Sequence, residues 1–315
     1  MNTDPTTGPL VIRDDAVRAC LNHAPLAHRI AQAFDALARG QAAIQPRARI
    51  DCGPVKLSAM GAIWLEAGLA CEKVYPTVNG QFGFLLNLFD TRTGQPLAVM
   101  PGQAITAFRT PALTLLALQK AVRRPGKLAL FGAGLQGQGH VDALLANLPF
   151  AEVAVVDLDD ARARCAQWAQ RHGVRVHQTS AEEAVRGADA VVTVTRSKTP
   201  VFDGAWLSPG ATVAAIGTSL PTGRELDDTT LSRAARVVVE WKPQSLMEAG
   251  EVVLGVQSGA LRPERVVDWV ELRQHGRPWR ENEDEIVVFK SVGVGLTDLA
   301  AADLVWQAHR AAEAA

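Results

Sequence analysis

The sequence predicts an α/β protein of two domains, and three observations lead to this fold class. The chain has 315 residues, and roughly 150 residues per domain suggests two domains. Residues 44–100 contain short apolar runs broken by Gly, Pro and Asn, which is typical of β-strands joined by turns. From Lys127 onward, apolar strands alternate with helical segments, and this alternation predicts a parallel sheet covered on both faces.

The composition is that of a globular protein, with 48% hydrophobic and 21% charged residues. The 32 basic residues nearly balance the 33 acidic ones, which argues against nucleic-acid and membrane-surface binding, because such partners favour a basic excess. No apolar run reaches the roughly 20 residues of a membrane span. The four cysteines lack any metal-ligand spacing and are interpreted as reduced thiols of a cytoplasmic protein without a metal site.

The first part of the chain is predicted to begin with one helix and to continue as a sheet. Apolar residues recur at helical spacing over 14–39, and Gly40 is expected to end that helix. FDTRTGQPL between two strands predicts a hairpin turn. A helix is then expected with Thr110 as N-cap and Pro111 as its first residue, followed by a domain boundary at RRPG. The predicted strands are ARID, KLSAM, CEKVY, FGFLLNLFD and PLAVM.

The second part is predicted to alternate between strands and helices. Its strands are expected at LALFGAG, AEVAVVD, VRVHQT, ADAVVTVT, ATVAAIGT and ARVVVE. Its helices are expected at HVDALLANL, DARARCAQWAQRHG and AEEAVRGA. The last 20 residues, LTDLAAADLVWQAHRAAEAA, are predicted to form a helix that packs back onto the first domain.

The motif GAGLQG is the strongest local signal for a ligand site, because it follows a strand and begins a helix. Gly132, Gly134 and Gly137 suit a tight turn, a close approach of backbone to pyrophosphate, and close packing of helix on strand. Leu135 and Gln136 begin a helix whose N-terminus offers free N–H groups to phosphates. The motif therefore predicts dinucleotide binding.

An acidic residue completes this dinucleotide signature. Asp157 ends the next strand, 20 residues after the last glycine of the motif, where a carboxylate accepts hydrogen bonds from the ribose 2′-OH. Asp159 and Asp160 follow, and three carboxylates would repel a 2′-phosphate, which favours NAD(H) over NADP(H). Arg162 and Arg164 lie close by in sequence and weaken this preference.

Four motifs in order resemble the ornithine cyclodeaminase/mu-crystallin family over about residues 46–298: PGQAITAFRTPA, GAGLQGQGH, AIGTSLPTGRELDD and VVFKSVGVGLTD. The resemblance implies a homodimer that uses a nicotinamide dinucleotide on small amino or imino acids. It also implies a Rossmann dinucleotide-binding domain beside an α+β substrate and dimerisation domain. The expected boundaries are 125–292 for the Rossmann domain, and 1–124 with the C-terminal helix 293–315 for the other.

The resemblance also implies the residues of the site. Arg47 in QPRA is the expected substrate arginine, with Arg49 on the same strand face as a competitor. Lys73 in CEKVY resembles the substrate lysine, and Arg109 in FRTPA resembles the arginine that reaches both the substrate carboxylate and the cofactor. Their chemistry agrees, since a guanidinium binds a carboxylate bidentately and a lysine can protonate an imine nitrogen. The other expected cofactor contacts are Thr195, Ile216 and Ser291.

One departure from the family pattern decides the predicted reaction. Ser219 stands where ornithine cyclodeaminases carry an aspartate, and a hydroxyl cannot serve as a carboxylate base at neutral pH. We therefore expect a reductase of cyclic imino acids, such as 1-pyrroline-2-carboxylate or 1-piperideine-2-carboxylate, giving L-proline or L-pipecolate, with Lys73, Arg109 and Ser219 as catalytic residues. The alternatives are an ornithine cyclodeaminase, or a non-enzymatic protein that binds a dinucleotide and a small ligand.

Overall fold

The computed structural model describes residues 8–313 and divides them into two compact units. The first unit holds the described residues up to Thr110 together with those from Val294, and the second is Pro111–Gly293. The first division between these compact units falls inside a helix, and the RRPG segment predicted as a boundary follows that helix. None of the helices in the described part of the chain is long and apolar enough to cross a membrane.

The first unit is built on a seven-stranded sheet with the order β1-β7-β6-β4-β3-β2 and with β5 on β4. Among the described strands of this sheet, only β1 and β7 pair in parallel. The predicted hairpin joins β6 to β7. The strands are β1 (Leu10–Val11), β2 (Ala42–Cys52), β3 (Val55–Trp64), β4 (Leu69–Val78), β5 (Gln81–Phe82), β6 (Leu85–Asp90) and β7 (Pro96–Pro101). The helices are α1 (Asp14–Cys20), α2 (His23–Ala38), the start of α3 (Gly102–Ala121) and α11 (Gly295–Glu313).

The two faces of this sheet differ in what covers them. Helix α11 packs on β3, β4 and α2. Beneath it, Met60, Lys73 and Tyr75 are buried, because alternate residues of a strand point to the same face. On the other face, Leu57 and Ile63 are 41% and 45% exposed. An apolar sheet face thus stays open in the isolated chain.

The single helix predicted over residues 14–39 is wrong, because the chain forms α1 and α2 with a break between them. Leu21 and Asn22 adopt extended backbone conformations at the break. The Asn22 side chain accepts a hydrogen bond from the backbone N–H of Ala24 at 3.3 Å, so it caps α2. The helical spacing of apolar residues continues across this break, and Asn22 is the only local signal in the sequence that a new helix begins.

The predicted start of α3 is also wrong. The helix begins at Gly102, so Thr110 is not its N-cap and Pro111 lies in its interior. Pro111 has no N–H to offer the carbonyl of Ala107, which weakens the helix locally. Residues 109–118 are all buried, and this packing outweighs the missing hydrogen bond.

The second unit confirms the predicted parallel sheet. Its eight strands follow the order β10-β9-β8-β11-β12-β15-β13-β14, and all neighbouring strands pair in parallel. The strands are β8 (Lys127–Phe131), β9 (Glu152–Val156), β10 (Arg175–Gln178), β11 (Ala190–Thr193), β12 (Thr212–Ala215), β13 (Ala234–Val239), β14 (Val266–Asp268) and β15 (Ile286–Lys290). The strand order reverses between β8 and β11, and in such Rossmann-type sheets ligands bind at the carboxyl ends of the strands at that point.

The helices of the second unit follow the predicted alternation at first and then add elements that the sequence did not predict. The predicted ones are α4 (Leu135–Leu145), α5 (Arg162–His172) and α6 (Ala181–Val185). The additional ones are α7 (Asp228–Arg233), α8 (Lys242–Glu248), α9 (Gly250–Gln257) and α10 (Trp269–Gln274), with single turns at Gly204–Trp206 and Pro263–Arg265.

Candidate active site

A buried lysine lies at the centre of the polar cluster in the first unit. Lys73 on β4 is only 1% exposed, and its Nζ donates to Asp298 Oδ1 at 2.8 Å. The same nitrogen lies 3.4 Å from Thr106 Oγ1 and 5.0 Å from the ring centroid of Phe84. A buried ammonium is costly unless it is paired, and Asp298 provides that partner.

Arg109 joins the cluster through the same carboxylate oxygen. It lies on α3, and its Nε is 3.3 Å from Asp298 Oδ1. The Nε of Arg109 is buried and has no hydrogen-bond partner among residues 8–313. This N–H therefore remains available as a hydrogen-bond donor.

Asp298 is the residue of this cluster that sequence reasoning missed as a site residue. It lies on α11, is 0% exposed, and its Oδ2 has no hydrogen-bond partner within the described chain. The signal was present, because Asp298 ends the motif VVFKSVGVGLTD and is an acid on a helix of mostly apolar residues. Buried carboxylates on such a helix face are rare unless they are paired.

The two candidate substrate arginines lie on β2, and both are half-buried. The pairing of β2 with β3 is irregular between Gln45 and Ala48, so Arg47 lies at a bulge. Arg49 is opposite Ser58, whose side chain is buried on the face that α11 covers. Arg47 acts on Lys73 electrostatically, since its charge helps to lower the pKa of that lysine.

The surroundings of Lys73 lower its pKa to about 8. Burial is the largest cause, because it disfavours the charged form. The carboxylate of Asp298 acts in the opposite direction, while the guanidinium groups of Arg109 and Arg47 lower the pKa further. Lys73 therefore changes its protonation state close to neutral pH, where a general acid is effective.

The charges of the cluster favour an anionic ligand. Lys73, Arg109 and Arg47 contribute three positive charges, and Asp298 contributes one negative charge. A carboxylate that binds here would balance part of this excess and could accept paired hydrogen bonds from a guanidinium. The cluster thus has the chemistry of a site for a small organic acid.

The glycine-rich loop of the second unit fits the pyrophosphate of a dinucleotide. Gly132 has φ +98°, and a Cβ at Gly137 would lie 2.1 Å from the carbonyl oxygen of Gly132, so both positions need glycine. At Gly134, the N-cap of α4, a Cβ would meet no atom within 4 Å. Leu135 is 79% exposed, and the buried Oε1 of Gln136 has no hydrogen-bond partner in residues 8–313. The helix N-terminus thus has open space for an anion beside it.

Asp157 lies next to this loop and contacts it directly. Its Oδ2 accepts a hydrogen bond from the backbone N–H of Ala133 at 2.5 Å. Arg164 donates to the carbonyl oxygen of the same alanine. Arg162, in contrast, is bound to Asp160 at 2.9 Å on the surface. The carboxylate of Asp157 is therefore fixed at the loop, and each of the two nearby arginines already has a partner.

A buried glutamate, Glu225, accepts hydrogen bonds from both loops that follow β11 and β12. Glu225 Oε1 accepts hydrogen bonds from the backbone N–H and the hydroxyl of Thr195, at 2.8 and 2.7 Å. Its Oε2 accepts from the N–H of Gly217 at 2.7 Å. Burial raises the pKa of Glu225, and the charge of Lys290 opposes that shift. Thr195, a predicted cofactor contact, is thus positioned by a residue that was not predicted for the site.

Lys290 is the second buried charge behind these loops. Its Nζ donates to the carbonyl oxygen of Thr218 at 2.7 Å and pairs with Glu251 at 2.9 Å. Glu251 in turn accepts from the backbone N–H of Glu225 at 2.9 Å. A lysine in the apolar strand sequence VVFK was the available sign of this pair.

The remaining predicted residues lie at the carboxyl ends of strands in the second unit. The backbone N–H of Ile216 donates to the carbonyl oxygen of Thr193 at 2.8 Å, and the N–H of Ser291 donates to the carbonyl oxygen of Ala215 at 3.1 Å. Ser219 is half-buried in the loop after β12. Lys73 and Arg109, in contrast, belong to the first unit. The structure therefore places the predicted substrate residues Arg47, Arg49, Lys73 and Arg109 in the first unit, and the predicted cofactor contacts and Ser219 in the second unit.

Comparison with known proteins decides the family. The sequence model of the ornithine cyclodeaminase/mu-crystallin family matches residues 10–313. This chain belongs to the ornithine cyclodeaminase/mu-crystallin family. Within the family, the ketimine reductase mu-crystallin of Mus musculus is 37% identical over 221 residues, 70% of this chain and 67% of that protein. A Δ1-pyrroline-2-carboxylate reductase of Bacillus cereus is 31% identical over 236 residues, 73% of this chain and 71% of that protein.

Solved structures agree with this family fold. A probable ornithine cyclodeaminase from Bordetella pertussis Tohama I has a TM-score of 0.92 and 39% identity, covering 96% of this chain and 98% of that one. An archaeal alanine dehydrogenase, a dimer with bound NAD, has a TM-score of 0.90 and 27% identity, covering 97% of each chain. The fold predicted from the sequence is therefore confirmed.

Proposed function

We propose that this member of the ornithine cyclodeaminase/mu-crystallin family reduces a small cyclic imino acid with NADH or NADPH. The observation that carries the proposal is the buried cluster of Lys73, Arg109 and Asp298, which has an excess of positive charge. The substrates are 1-pyrroline-2-carboxylate or 1-piperideine-2-carboxylate, and the products are L-proline or L-pipecolate.

The residues of the cluster match the two polar ends of such a substrate. Arg109 and Arg47 hold the carboxylate, for which a guanidinium fork is suited. Reduction of the C=N bond also needs a proton at nitrogen, and Lys73 is proposed to donate it, since its pKa of about 8 leaves it mostly protonated at neutral pH. Ser219 is proposed to hydrogen-bond the substrate or the nicotinamide amide.

The cofactor is proposed to bind to the second unit. Its pyrophosphate would lie at Gly134 and the N-terminus of α4, and its adenosine ribose would contact Asp157. Thr195, Ile216 and Ser291 would contact the remainder. When bound, the reduced dinucleotide supplies the hydride for the imine carbon. We propose NAD(H) over NADP(H), because Asp157, Asp159 and Asp160 would repel a 2′-phosphate.

The relatives support the reductase reaction over the alternatives. One relative is named a ketimine reductase and another a Δ1-pyrroline-2-carboxylate reductase, each at more than 30% identity. Ornithine cyclodeamination is the second candidate, because the structure from Bordetella pertussis is named a probable ornithine cyclodeaminase. The serine at position 219 argues against it, since that reaction needs a base at the substrate amino group.

A paired assay tests this proposal. Purified protein is given 1-pyrroline-2-carboxylate with NADH, and the loss of reduced-cofactor absorbance is followed. In parallel, it is given ornithine with catalytic NAD+, and proline and ammonia are measured. We expect reduction of the imine and no release of ammonia. Proline formed from ornithine at a comparable rate would instead make the protein a cyclodeaminase, and binding without turnover in either assay would make it a ligand-binding protein.

We also propose the assembly and the location of the protein. A homodimer would cover the open sheet face of the first unit, and a related alanine dehydrogenase is described as a dimer. Contiguous exposed apolar surface of this kind marks interaction sites. The exposed apolar side chains of this face are Ile50, Val55, Leu57, Ile63, Val78 and Leu85. The free thiols, of which Cys71 and Cys165 are buried, are consistent with the predicted cytoplasmic location.

A further inference from the structure

Asp298 differs from the other residues of the cluster because it contacts two of them with one oxygen. Its Oδ1 lies 2.8 Å from Lys73 Nζ and 3.3 Å from Arg109 Nε. These partners come from β4 and α3, whereas Asp298 itself lies on α11. One carboxylate on the helix that covers the sheet therefore joins three elements of the first unit.

The second carboxylate oxygen makes Asp298 unusual for a purely structural residue. Oδ2 is buried and has no hydrogen-bond partner among residues 8–313. A buried carboxylate oxygen without a partner costs free energy, so a structural ion pair would be expected to satisfy it. Native proteins keep such groups mainly where the charge has a further task.

The environment of Lys73 indicates that task. The charged groups facing its Nζ are Asp298 on α11, Arg109 on α3 and Arg47 on β2. Of these charged groups, only Asp298 favours the protonated lysine, since both arginines, like burial, lower its pKa. The neutral groups that complete the surroundings are the hydroxyl of Thr106, the thiol of Cys71, whose own pKa is raised by burial, and the rings of Tyr75 and Phe84.

We infer that Asp298 is a positioning residue, which keeps the Lys73 ammonium protonated and directs it towards the imine nitrogen of the substrate. The same carboxylate oxygen orients the guanidinium of Arg109. This inference rests on the proposed imine reduction. In that reaction Lys73 Nζ gives one proton to the imine nitrogen while the hydride from the reduced cofactor forms the new C–H bond. Lys73 is left as a neutral amine and regains a proton from solvent, so the cofactor is oxidised and the imine reduced with no other reactant.

The decisive variant is Asp298→Asn, which keeps the size of the side chain and removes its charge. The pKa of Lys73 should fall by about one unit or more, because an opposite charge within 4–6 Å is removed. In the pH profile of kcat/KM, the fall in activity at alkaline pH (the alkaline limb) should move to lower pH by the same amount. Since Arg109 loses its anchor as well, KM for the imine should rise. An alkaline limb at the wild-type pH would overturn the inference.

A measurement without substrate separates this inference from the proposed function. The chain has few lysines, namely Lys56, Lys73, Lys120, Lys127, Lys198, Lys242 and Lys290. Carbon-13 labelling of their ε-carbons would resolve the Lys73 signal, which is identified by its absence in Lys73→Met. Its titration in wild type and in Asp298→Asn reports the effect of the carboxylate directly, whether or not the protein reduces imines. An unchanged Lys73 titration would refute the role of Asp298.

Asp303 provides a matched control on the same helix. It is 2% exposed and pairs with Arg29 Nε at 2.5 Å, but it contacts no residue of the cluster. Asp303→Asn thus breaks a similarly buried ion pair of α11. It should lower the unfolding temperature and leave the Lys73 titration and the alkaline limb unchanged. If Asp303→Asn moved the limb as far as Asp298→Asn does, the effect would be a general loss of helix packing, and the inference would fail.

Asp298→Glu covers the case in which Asp298→Asn does not fold. Glutamate keeps the negative charge, but its longer side chain moves the carboxylate. Lys73 should therefore stay protonated, while the orientation of its ammonium group changes. We expect a lower kcat with the alkaline limb at its wild-type position. Wild-type kcat in Asp298→Glu would show that the position of this carboxylate does not matter, which contradicts the inference.

Discussion

At the scale of single residues, the main feature is the burial of charge in the first unit. Lys73 and Asp298 are 1% and 0% exposed, and each would be strongly destabilising without the other. Replacing both with apolar residues of similar size would typically be neutral or stabilising. The pair is therefore better explained by a role in the site than by stability, and the lowered pKa of Lys73 is typical of residues in functional sites.

Arg109→Lys tests whether the guanidinium fork binds the substrate carboxylate. The variant keeps the positive charge and loses bidentate geometry, so we expect kcat/KM to fall by about 2–4 kcal/mol of transition-state stabilisation. The unfolding temperature should change little. Steady-state kinetics with the imine measures this effect, and a wild-type kcat/KM in Arg109→Lys would exclude Arg109 from the site.

Asp157→Ser tests the proposed cofactor preference. The wild type should use NADH better than NADPH, and the serine variant should shift towards NADPH, because the repulsion of a 2′-phosphate is reduced. The Ala133 N–H also loses its carboxylate acceptor, so affinity for both cofactors should fall somewhat. Ratios of kcat/KM for the two cofactors decide the matter. A wild type that prefers NADPH by about tenfold, or 1.4 kcal/mol, would contradict the proposal.

At the scale of elements, the loops after β11 and β12 depend on one buried carboxylate. Glu225→Gln keeps its shape but must direct an NH₂ group towards either the Thr195 or the Gly217 N–H. An unsatisfied buried donor costs about 1–3 kcal/mol. We therefore expect KM for NADH to rise about fivefold or more, with a smaller change in KM for the imine. Glu271→Gln, which alters a helix cap elsewhere in the second unit, serves as the control and should leave both KM values unchanged.

The elements also indicate how far the sequence determines the fold. Six of the eight strands of the second unit, β8 to β13, were predicted, because most of them are apolar runs in an alternation with helices, whereas β14 and β15 were missed. The break between α1 and α2 was not, because the apolar spacing continues through it and only Asn22 marks it. The start of α3 was missed because Pro111 usually begins a helix, and here packing tolerates it inside one.

The residues of the candidate site were also predicted only in part. Arg47, Lys73 and Arg109 were predicted from motifs, and the structure puts Lys73 and Arg109 on the same carboxylate oxygen. Asp298 was missed, since it is distant in sequence and only the fold of the first unit brings α11 onto β4. Long-range pairs of this kind cannot be read from local spacing.

At the scale of the whole molecule, the open sheet face predicts the oligomeric state. Ile63→Lys combined with Leu57→Lys places two charges in the middle of that face, so the proposed dimer should dissociate. Sedimentation velocity should report a dimer for the wild type and a monomer for the double variant. Met247→Lys is the control, because Met247 is 58% exposed on α8 of the second unit and is not part of that sheet. A wild type that sediments as a monomer would contradict the proposal.

The path of the chain has a consequence for biosynthesis. The first unit is formed by two stretches of chain, and the second unit, residues 111–293, is translated between them. A ribosome therefore delivers β4 with Lys73 long before it delivers Asp298, and the contiguous second unit can fold first. Until α11 has been synthesised, Lys73 on β4 and Arg109 on α3 lack the carboxylate of Asp298 with which both pair in the folded unit. The cluster of Lys73, Arg109 and Asp298 is thus completed after the parallel sheet of the second unit, and its last component to be synthesised is the carboxylate that neutralises part of its charge.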